Sequence, residues 1–392
     1  MRLAVLASHP VQYQAPFYRA LARRFDAHVF FAHRASPAEQ ANAGFATPFE
    51  WDVDLTDGYA HSFLRNVARL PDASRFAGCD TPEIGARLRA GGFDALLLMG
   101  WHLKSYMQGL IAARRLGVAT LVRGDSHLWT PRARAKALAK RALYPPFLRL
   151  FDAALHVGQR SRDYYLHYGY PADRLFHAPH AVDAAWFAAR ATQEARERLR
   201  AECAVAPQAR VVLFAGKVVA AKRPLDLVAA VARARAQGLD VQIMIAGDGA
   251  QLSETVAAAA AVGAPLHALG FRNQTQMPQV YAASDALVLP SAHETWGMVV
   301  NEALACGRPV VVSDTCGCAP DVSDGVAGRA FRMGDAARLA QALEATMAAP
   351  PSADAIARLG AKFSLETAVD GVAAAAGRAC ARSGAAMAAL RP

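Results

Sequence analysis

Short apolar runs separated by longer stretches with helical spacing set the pattern of this chain. In its first half, runs of four to six residues occur at Leu3–Ala7, His28–Ala32, Ala95–Met99, Ala119–Arg123 and Ala153–Val157. A second series follows at Val211–Ala215, Val241–Ala246, Leu266–Leu269, Ala286–Leu289 and Pro309–Ser313. The runs are apolar without alternation and end in Gly, Ser, Pro or Asp, as strands do when helices cover both faces of a sheet. Alanine-rich helical stretches between them predict an α/β protein with two doubly wound parallel sheets. The two series meet near Asp183–Pro207. This gives an N-terminal Rossmann-like domain over 1–190, a C-terminal one over 191–370, and a helical tail over 371–392 that packs back on the N-terminal domain. Ligands of open α/β sheets bind at the carboxyl ends of strands, so the expected site is the cleft where two such domains face each other.

Size supports two domains, because 392 residues exceed the ~250–300 at which a single core stops growing. A hydrophobic fraction of 54% with 19% charged residues excludes a disordered chain. The six cysteines are too scattered for a disulfide framework and fit a reducing cytosol. The uncharged stretch from Thr255 to Phe271 falls short of the ~20 apolar residues of a spanning helix. The opening MRLAVLASHP reads as a first strand, not a signal peptide. The expectation is a soluble cytoplasmic protein.

Net charge adds a direction. The +10 total splits into +9 over residues 1–190 and +1 over 191–392, so the N-terminal half should face an anionic partner: nucleic acid, a membrane surface or an acidic small molecule. The run Arg132–Arg149 has six basic residues and no acidic one, with Leu138, Leu143, Tyr144 and Phe147 among them. It reads either as a basic amphipathic face for anionic lipid or as an ordinary helix with its apolar side in the core.

The densest chemistry lies in Pro290-Ser-Ala-His-Glu-Thr-Trp-Gly-Met-Val-Val-Asn-Glu302. A strand ends at Leu289 and a helix starts near Trp296–Gly297, so the first amides, Gly297, Met298 and Val299, suit a phosphate or a sugar oxygen. Glu294 precedes the helix and Glu302 lies about two turns along it, spaced to hold different hydroxyls of one extended ligand. Taken alone, Glu294 reads better as a helix cap and Glu302 as a residue of a solvated face.

Together with Ala303-Leu-Ala-Cys-Gly-Arg-Pro-Val-Val311, this string resembles the E-x7-E signature of the family 4 retaining glycosyltransferases, whose fold is GT-B. Phe214-Ala-Gly-Lys-Val-Val-Ala-Ala-Lys222 resembles that family's diphosphate clamp, with Lys217 where arginine is usual. Ile245-Ala-Gly-Asp-Gly249, Leu269-Gly-Phe-Arg272 and Ser284–Ser291 match further segments in order. At Asp314–Asp321 the chain departs, having Gly317–Cys318 and Asp321 where the family has paired glycines and a glutamate. The Cys316-x-Cys318 pair lacks a second ligand pair and reads as loop thiols rather than a metal site. Asp52-Val-Asp54 looks like the metal-binding D-x-D of the other large glycosyltransferase fold, but lies in no matching context.

The resemblance implies a sugar transferred from a nucleotide donor, a UDP-sugar, to a hydroxyl of a glycan or lipid-linked saccharide in cell-surface polysaccharide synthesis, with retention and without a metal or organic cofactor. It places Gly216, Lys217 and Lys222 on the diphosphate, Arg272 beside the base, Glu302 on the ribose, Glu294 on the donor sugar, and the amides of Gly297, Met298 and Val299 on phosphate and sugar. In the N-terminal half, His127 or Asp125, after strand Ala119–Arg123, is the acid/base or acceptor-orienting group, although Asp125 and Ser126 also read as a plain turn. His9 and Gln12, after the first strand, and Trp101 and His102, after the third, are the candidates for the sugar and acceptor pocket. Lipid-using relatives dock through a basic patch like Arg132–Arg149, which would put the protein on the inner face of the membrane. An epimerase or phosphorylase on the same architecture is the rival enzyme reading. A non-catalytic polyanion-binding adaptor is the rival binding reading, disfavoured by the lack of a nucleic-acid module.

Overall fold

The computed structural model describes residues 1–35, 49–129 and 134–389, with backbone alone at 134–137 and 383–389. It divides into two units. The first comprises the described residues 1–35, Asp54–His180 and the chain from Leu365 onward; the second comprises Ala181–Ser364 with the described residues 49–53. The chain therefore changes unit at His180/Ala181, earlier than the boundary expected at 190.

The first unit holds a seven-stranded parallel sheet of β1 (Arg2–Ala7), β2 (Asp26–Phe31), β3 (Ala60–Phe63), β4 (Ala95–Leu98), β5 (Ala119–Gly124), β6 (Ala153–His156) and β7 (Leu175–His177), in the order β3-β2-β1-β4-β5-β6-β7. The second holds β8 (Arg210–Ala215), β9 (Val241–Ala246), β10 (Leu266–Gly270), β11 (Ala286–Leu289), β12 (Val310–Ser313) and β13 (Gly328–Phe331), in the order β10-β9-β8-β11-β12-β13. Each sheet reverses its strand order once, at β1/β4 and at β8/β11. These switch points open a crevice at the strand ends.

Three strands escape the apolar-run criterion. β3, β7 and β13 are edge strands of three or four residues with half-buried positions. Their composition does not need the continuous apolar run of a central strand. His61 and Ser62 in β3, for example, interrupt it.

The helix Leu365–Ala389 belongs to the first unit, where it lies on helix Ala15–Arg24 and on β5, β6 and β7. Its small residues Ala368, Ala375, Ala376 and Ala379 join Val372 in the core with Leu3, Val5, Phe17 and Tyr18. Gly371 makes that approach close, since a Cβ there would stand 1.8 Å from the His177 carbonyl oxygen. In the second unit, helix Gln193–Glu202 is pinned by Arg200, which donates to the carbonyls of Ala283 and Ala206 at 3.1 Å each, while Arg196 pairs with Asp285 at 2.8 Å. Asp285 in turn accepts from the Val211 amide at 2.7 Å. These bonds tie the helix to the start of β8 and β11.

Candidate functional site

In the second unit the loops after β8 and β11 converge at the switch point. β8 ends at Ala215, and Gly216 (φ 130°) then turns the chain. Gly247, after β9, sits so close that a Cβ on it would be 1.8 Å from the Gly216 carbonyl oxygen. A single turn, Ala220–Lys222, follows, with Arg223 left-handed at φ 52° before Pro224 starts the next helix. The Ala292 amide donates to Ala221 O at 2.8 Å, joining the β11 loop to this turn. Lys222 Nζ and Glu294 Oε2 consequently form an ion pair. Both are about one-fifth exposed, so they face a site rather than open solvent.

Glu294 is held by its backbone. It bridges to Cys316 in a parallel β-bridge, and the Gly317 amide donates to Glu294 O at 2.9 Å. A Cβ at Gly317 would fall 1.8 Å from Thr295 O, which accounts for the glycine between two cysteines. The Cys316 and Cys318 thiols are fully buried, and burial raises the pKa of both. They pack the loop. Among the described residues no three His, Cys, Asp or Glu side chains are grouped to hold a metal.

Lys217 completes a positive cluster. Burial, followed by the charge of Lys222, lowers its pKa, and Glu294 opposes the shift. Two ammonium groups brought together this way favour an anion between them. Beside them, helix Met298–Ala305 begins after Gly297, whose φ of 104° only glycine adopts readily. The Met298 and Val299 amides belong to the first turn of that helix, which has no intrahelical acceptors for them.

Glu302 differs from the other site residues. It is 7% exposed and accepts from the Tyr281 hydroxyl at 2.7 Å, and the Gln274 side chain also favours its charged form. It is turned toward Tyr281 and Gln274, whereas Glu294 is engaged by Lys222. Burial pushes its carboxyl up to about 7, against the opposing effects of Tyr281 and Gln274. Arg272 follows β10, with its Nε buried and without an acceptor. Tyr281 and Gln274 were not legible as site residues, because no motif spacing links either to position 302.

The first unit has its own cavity, about 250 Å³, at the β1/β4 switch point. Trp101, His102, Arg123, Asp125, Tyr13 and His180 are among its lining residues. His180 Nε2 lies 3.6 Å from Asp125 Oδ2, and the His180 ring meets Tyr13 edge-on at 5.9 Å. Burial opposes charge on Asp125, but the His180 hydrogen bond and the charges of His180 and Arg123 outweigh it, leaving the carboxyl below its usual range. Burial lowers the His180 pKa. Arg123, 5% exposed, donates to Ala178 O at 3.2 Å and Pro179 O at 2.6 Å, which fixes the segment carrying His180. Burial brings its pKa down to about 10.

This arrangement separates the two N-terminal candidates. Asp125 lines the cavity; His127 is buried at 1% exposure and does not. Trp101 and His102 line it, while His9 and Gln12 stand on the neighbouring turn, with His9 Nδ1 3.0 Å from Ser8 Oγ. His180 went unrecognised because it lies far along the chain from Asp125, in a segment that reads as a linker. Of the basic stretch, Arg132 lies outside the described residues, and helix Arg134–Leu148 forms most of the rest.

Residues 195–363 match the family described as glycosyl transferases group 1. Over these residues the chain carries a group 1 glycosyl transferase domain. The D-inositol 3-phosphate glycosyltransferase of Geodermatophilus obscurus is 32% identical over 269 residues, covering 66% of this chain and 57% of that protein. The enzyme of the same description from Mycolicibacterium gilvum is 30% identical, covering 67% and 58%. The chain thus spans less than three-fifths of the curated relatives it matches. Among solved structures, Anabaena Alr3699/HepE in complex with UDP and glucose shares the fold with a TM-score of 0.68 at 18% identity, over 95% of this chain and 98% of that one. The fold is GT-B. Lys217, Lys222, Arg272, Glu294 and Glu302 all fall inside the group 1 domain, and the Asp125–His180 cavity lies outside it.

The buried Glu302 carries a pH prediction. A rise from 4.5 to about 7 corresponds to roughly 3 kcal/mol disfavouring the ionised form in the folded protein. Between these pH values the folded state keeps a proton that the unfolded chain has released, so this contribution falls as pH rises and is fully lost above pH 7. Glu302→Gln keeps an acceptor for Tyr281 and removes the penalty. Thermal denaturation of both forms should show no gain at pH 4 and the largest gain above pH 7.

Proposed function

We propose that this chain is a retaining glycosyltransferase that moves a sugar from a UDP-sugar to a hydroxyl of a glycan or lipid-linked saccharide in cell-surface polysaccharide synthesis. The observation that carries the reading is the Lys217–Lys222–Glu294 cluster at the β8/β11 switch point of a group 1 domain. A leaving diphosphate accumulates negative charge as the sugar–phosphate bond breaks, and preorganised ammonium groups stabilise it more than they stabilise the bound donor. Without donor, Lys222 is held by Glu294. With donor, its ammonium serves the diphosphate and Glu294 is released to sugar hydroxyls. Glu302 serves the ribose, Arg272 the base, and the amides from Gly297 to Val299 the phosphate and sugar.

The acceptor hydroxyl attacks the anomeric carbon on the face from which the phosphate departs. The C–O bond electrons pass to the phosphate oxygen, and that oxygen takes the acceptor proton. On this reading the Asp125–His180 cavity receives the acceptor. An ionised carboxylate beside a neutral imidazole accepts and orients hydroxyls, and Trp101 offers a ring face for a sugar. Arg123, the guanidinium lining this cavity, is already engaged by two carbonyls, which favours an uncharged hydroxyl group over a phosphate at this point.

Thermal-shift titration with UDP-, GDP-, ADP- and dTDP-sugars tests the donor, because a ligand of the folded state raises its apparent stability. UDP compounds should produce the largest shift; a shift with another nucleotide alone overturns the donor assignment. UDP release only when acceptor is present separates a transferase from an epimerase or a phosphorylase.

The basic helix supports a membrane-surface location on the cytoplasmic side. Among the described residues no helix is long and apolar enough to cross a membrane, yet Leu138 and Leu143 are 73% and 66% exposed on a helix that also carries exposed Arg141. Apolar and basic side chains together suit an anionic lipid surface. The protein should co-sediment with vesicles containing phosphatidylglycerol and not with neutral ones, and Leu143→Glu with Arg141→Glu should abolish this.

A further inference from the structure

The segment from Phe49 to Asp52 belongs to the second unit although it comes from the chain between β2 and β3. It docks on the loop that follows β10. The Phe49 ring lies 4.6 Å from that of Phe271 and 4.9 Å from that of Trp51. Asn273 Nδ2 donates to Glu50 O at 2.7 Å. The Asp52 carboxylate accepts from the Thr275 amide at 3.1 and 3.2 Å and from the Thr275 hydroxyl. Positions 271, 273 and 275 of the loop thus face the segment, and the loop runs into helix Met277–Ala283, whose Tyr281 hydroxyl donates to Glu302 at 2.7 Å. Asn273 also caps its own short turn, accepting from the Gln274 amide at 2.8 Å and donating its own amide to Gln276 at 3.1 Å.

We infer that Phe49–Asp52 is a positioning element for the donor site, with Asp52 fixing the 271–275 loop that leads into helix Met277–Ala283, whose Tyr281 holds the Glu302 carboxylate ready for its ligand. This rests on the donor role given to Glu302 above. Two observations carry it. The ring contact and the hydrogen bonds of the segment fall on alternate residues of the loop that leads into the helix carrying Tyr281, the hydrogen-bond partner of Glu302. And Asp52 turns both carboxylate oxygens to Thr275, so the aspartate of the D-x-D look-alike has a partner that is a loop rather than a metal. Asp54 has a separate task, accepting from the Thr56 and Asp57 amides at 2.8 and 3.0 Å in its own turn. On this reading Asp52 acts through the loop, by its bonds to Thr275. A rigid support of this kind is what keeps a binding carboxylate within a fraction of an ångström of its productive position.

Calorimetric titration of UDP into the full chain tests it. Losing hydrogen bonds to a charged group, Asp52→Ala should weaken UDP binding about five- to tenfold, raise the donor KM similarly, and leave kcat and the melting temperature near those of the parent. Asp52→Asn retains an acceptor for Thr275 and should recover most of the affinity. Thr275→Val, which removes one donor from the same contact, should weaken UDP in the same direction. UDP binding by Asp52→Ala at parental affinity overturns the inference, as does equal weakening by Asp52→Asn. If the parent protein itself binds no UDP, the donor assignment fails first and this inference falls with it.

Discussion

Lys222→Ala should lower kcat about 10²- to 10³-fold, the magnitude typical of removing one preorganised electrostatic group from a transition state. The site around Lys222 explains why the effect is large and why it falls mainly on kcat. Its ammonium is one-fifth exposed and held at the site by Glu294 in the donor-free protein; once the donor has displaced that pairing, it stands preorganised when charge develops on the leaving diphosphate. Lys217 remains in the variant and retains part of the ground-state attraction, so the donor KM should rise less than kcat falls. Lys222→Arg preserves the charge but enlarges the head group in a pocket shared with Glu294, and should recover only part of the rate. Steady-state kinetics with varied donor at saturating acceptor separates these terms. Glu294→Gln should behave differently, because Lys222 would then lack its carboxylate partner in the donor-free protein; its loss should appear in sugar transfer rather than in UDP affinity.

The second large effect is structural and propagates into the same site. Gly247→Ala places a methyl group 1.8 Å from the Gly216 carbonyl oxygen, at a φ of 152° that side chains rarely adopt. No side-chain rotation relieves a clash with backbone, so the ends of β8 and β9 must part. Overpacking of this kind costs about 1–3 kcal/mol, occasionally more, and backbone strain adds to it. A loss of about 3 kcal/mol lowers the melting temperature by roughly 6–12 °C in a unit of this size. The displaced residue, Gly216, directly precedes Lys217, so UDP affinity should fall even at temperatures where the variant is folded. Circular dichroism melts together with UDP titration well below the melting transition would show both. A variant that melts like the parent would contradict the close approach of the two strand ends.

How much of this was legible in the sequence follows from where each residue sits. Central strands such as Ala95–Leu98 and Ala286–Leu289 are buried and apolar at every position, so their limits could be read almost directly. The edge strands Ala60–Phe63, Leu175–His177 and Gly328–Phe331 face partial solvent and carry polar residues, which hides them among loops. The loop residues Lys222 and Glu294 were legible because short motifs flank them on strands of known order. What no spacing could show was a partner brought by the fold from elsewhere. His180 reaches Asp125 through a segment pinned by Arg123, and Asp52 reaches Thr275 across most of the chain. His127 attracted attention by its place after β5, but its backbone carries it into the interior, while Asp125 two residues earlier stays at the cavity. Glu302 was legible as a motif position and not as a buried acid, because its exposure depends on Tyr281 from a different helix.

Phosphate contact by the lysine pair is the claim on which the donor site rests, and phosphorus-31 NMR of UDP measures that contact directly. Titration with the parent protein should move and broaden both phosphorus resonances, the β-phosphate most, and Lys222→Ala should abolish the β-phosphate change. Unchanged phosphorus resonances while the uracil protons report binding, or an identical β-phosphate response in Lys222→Ala, would contradict it.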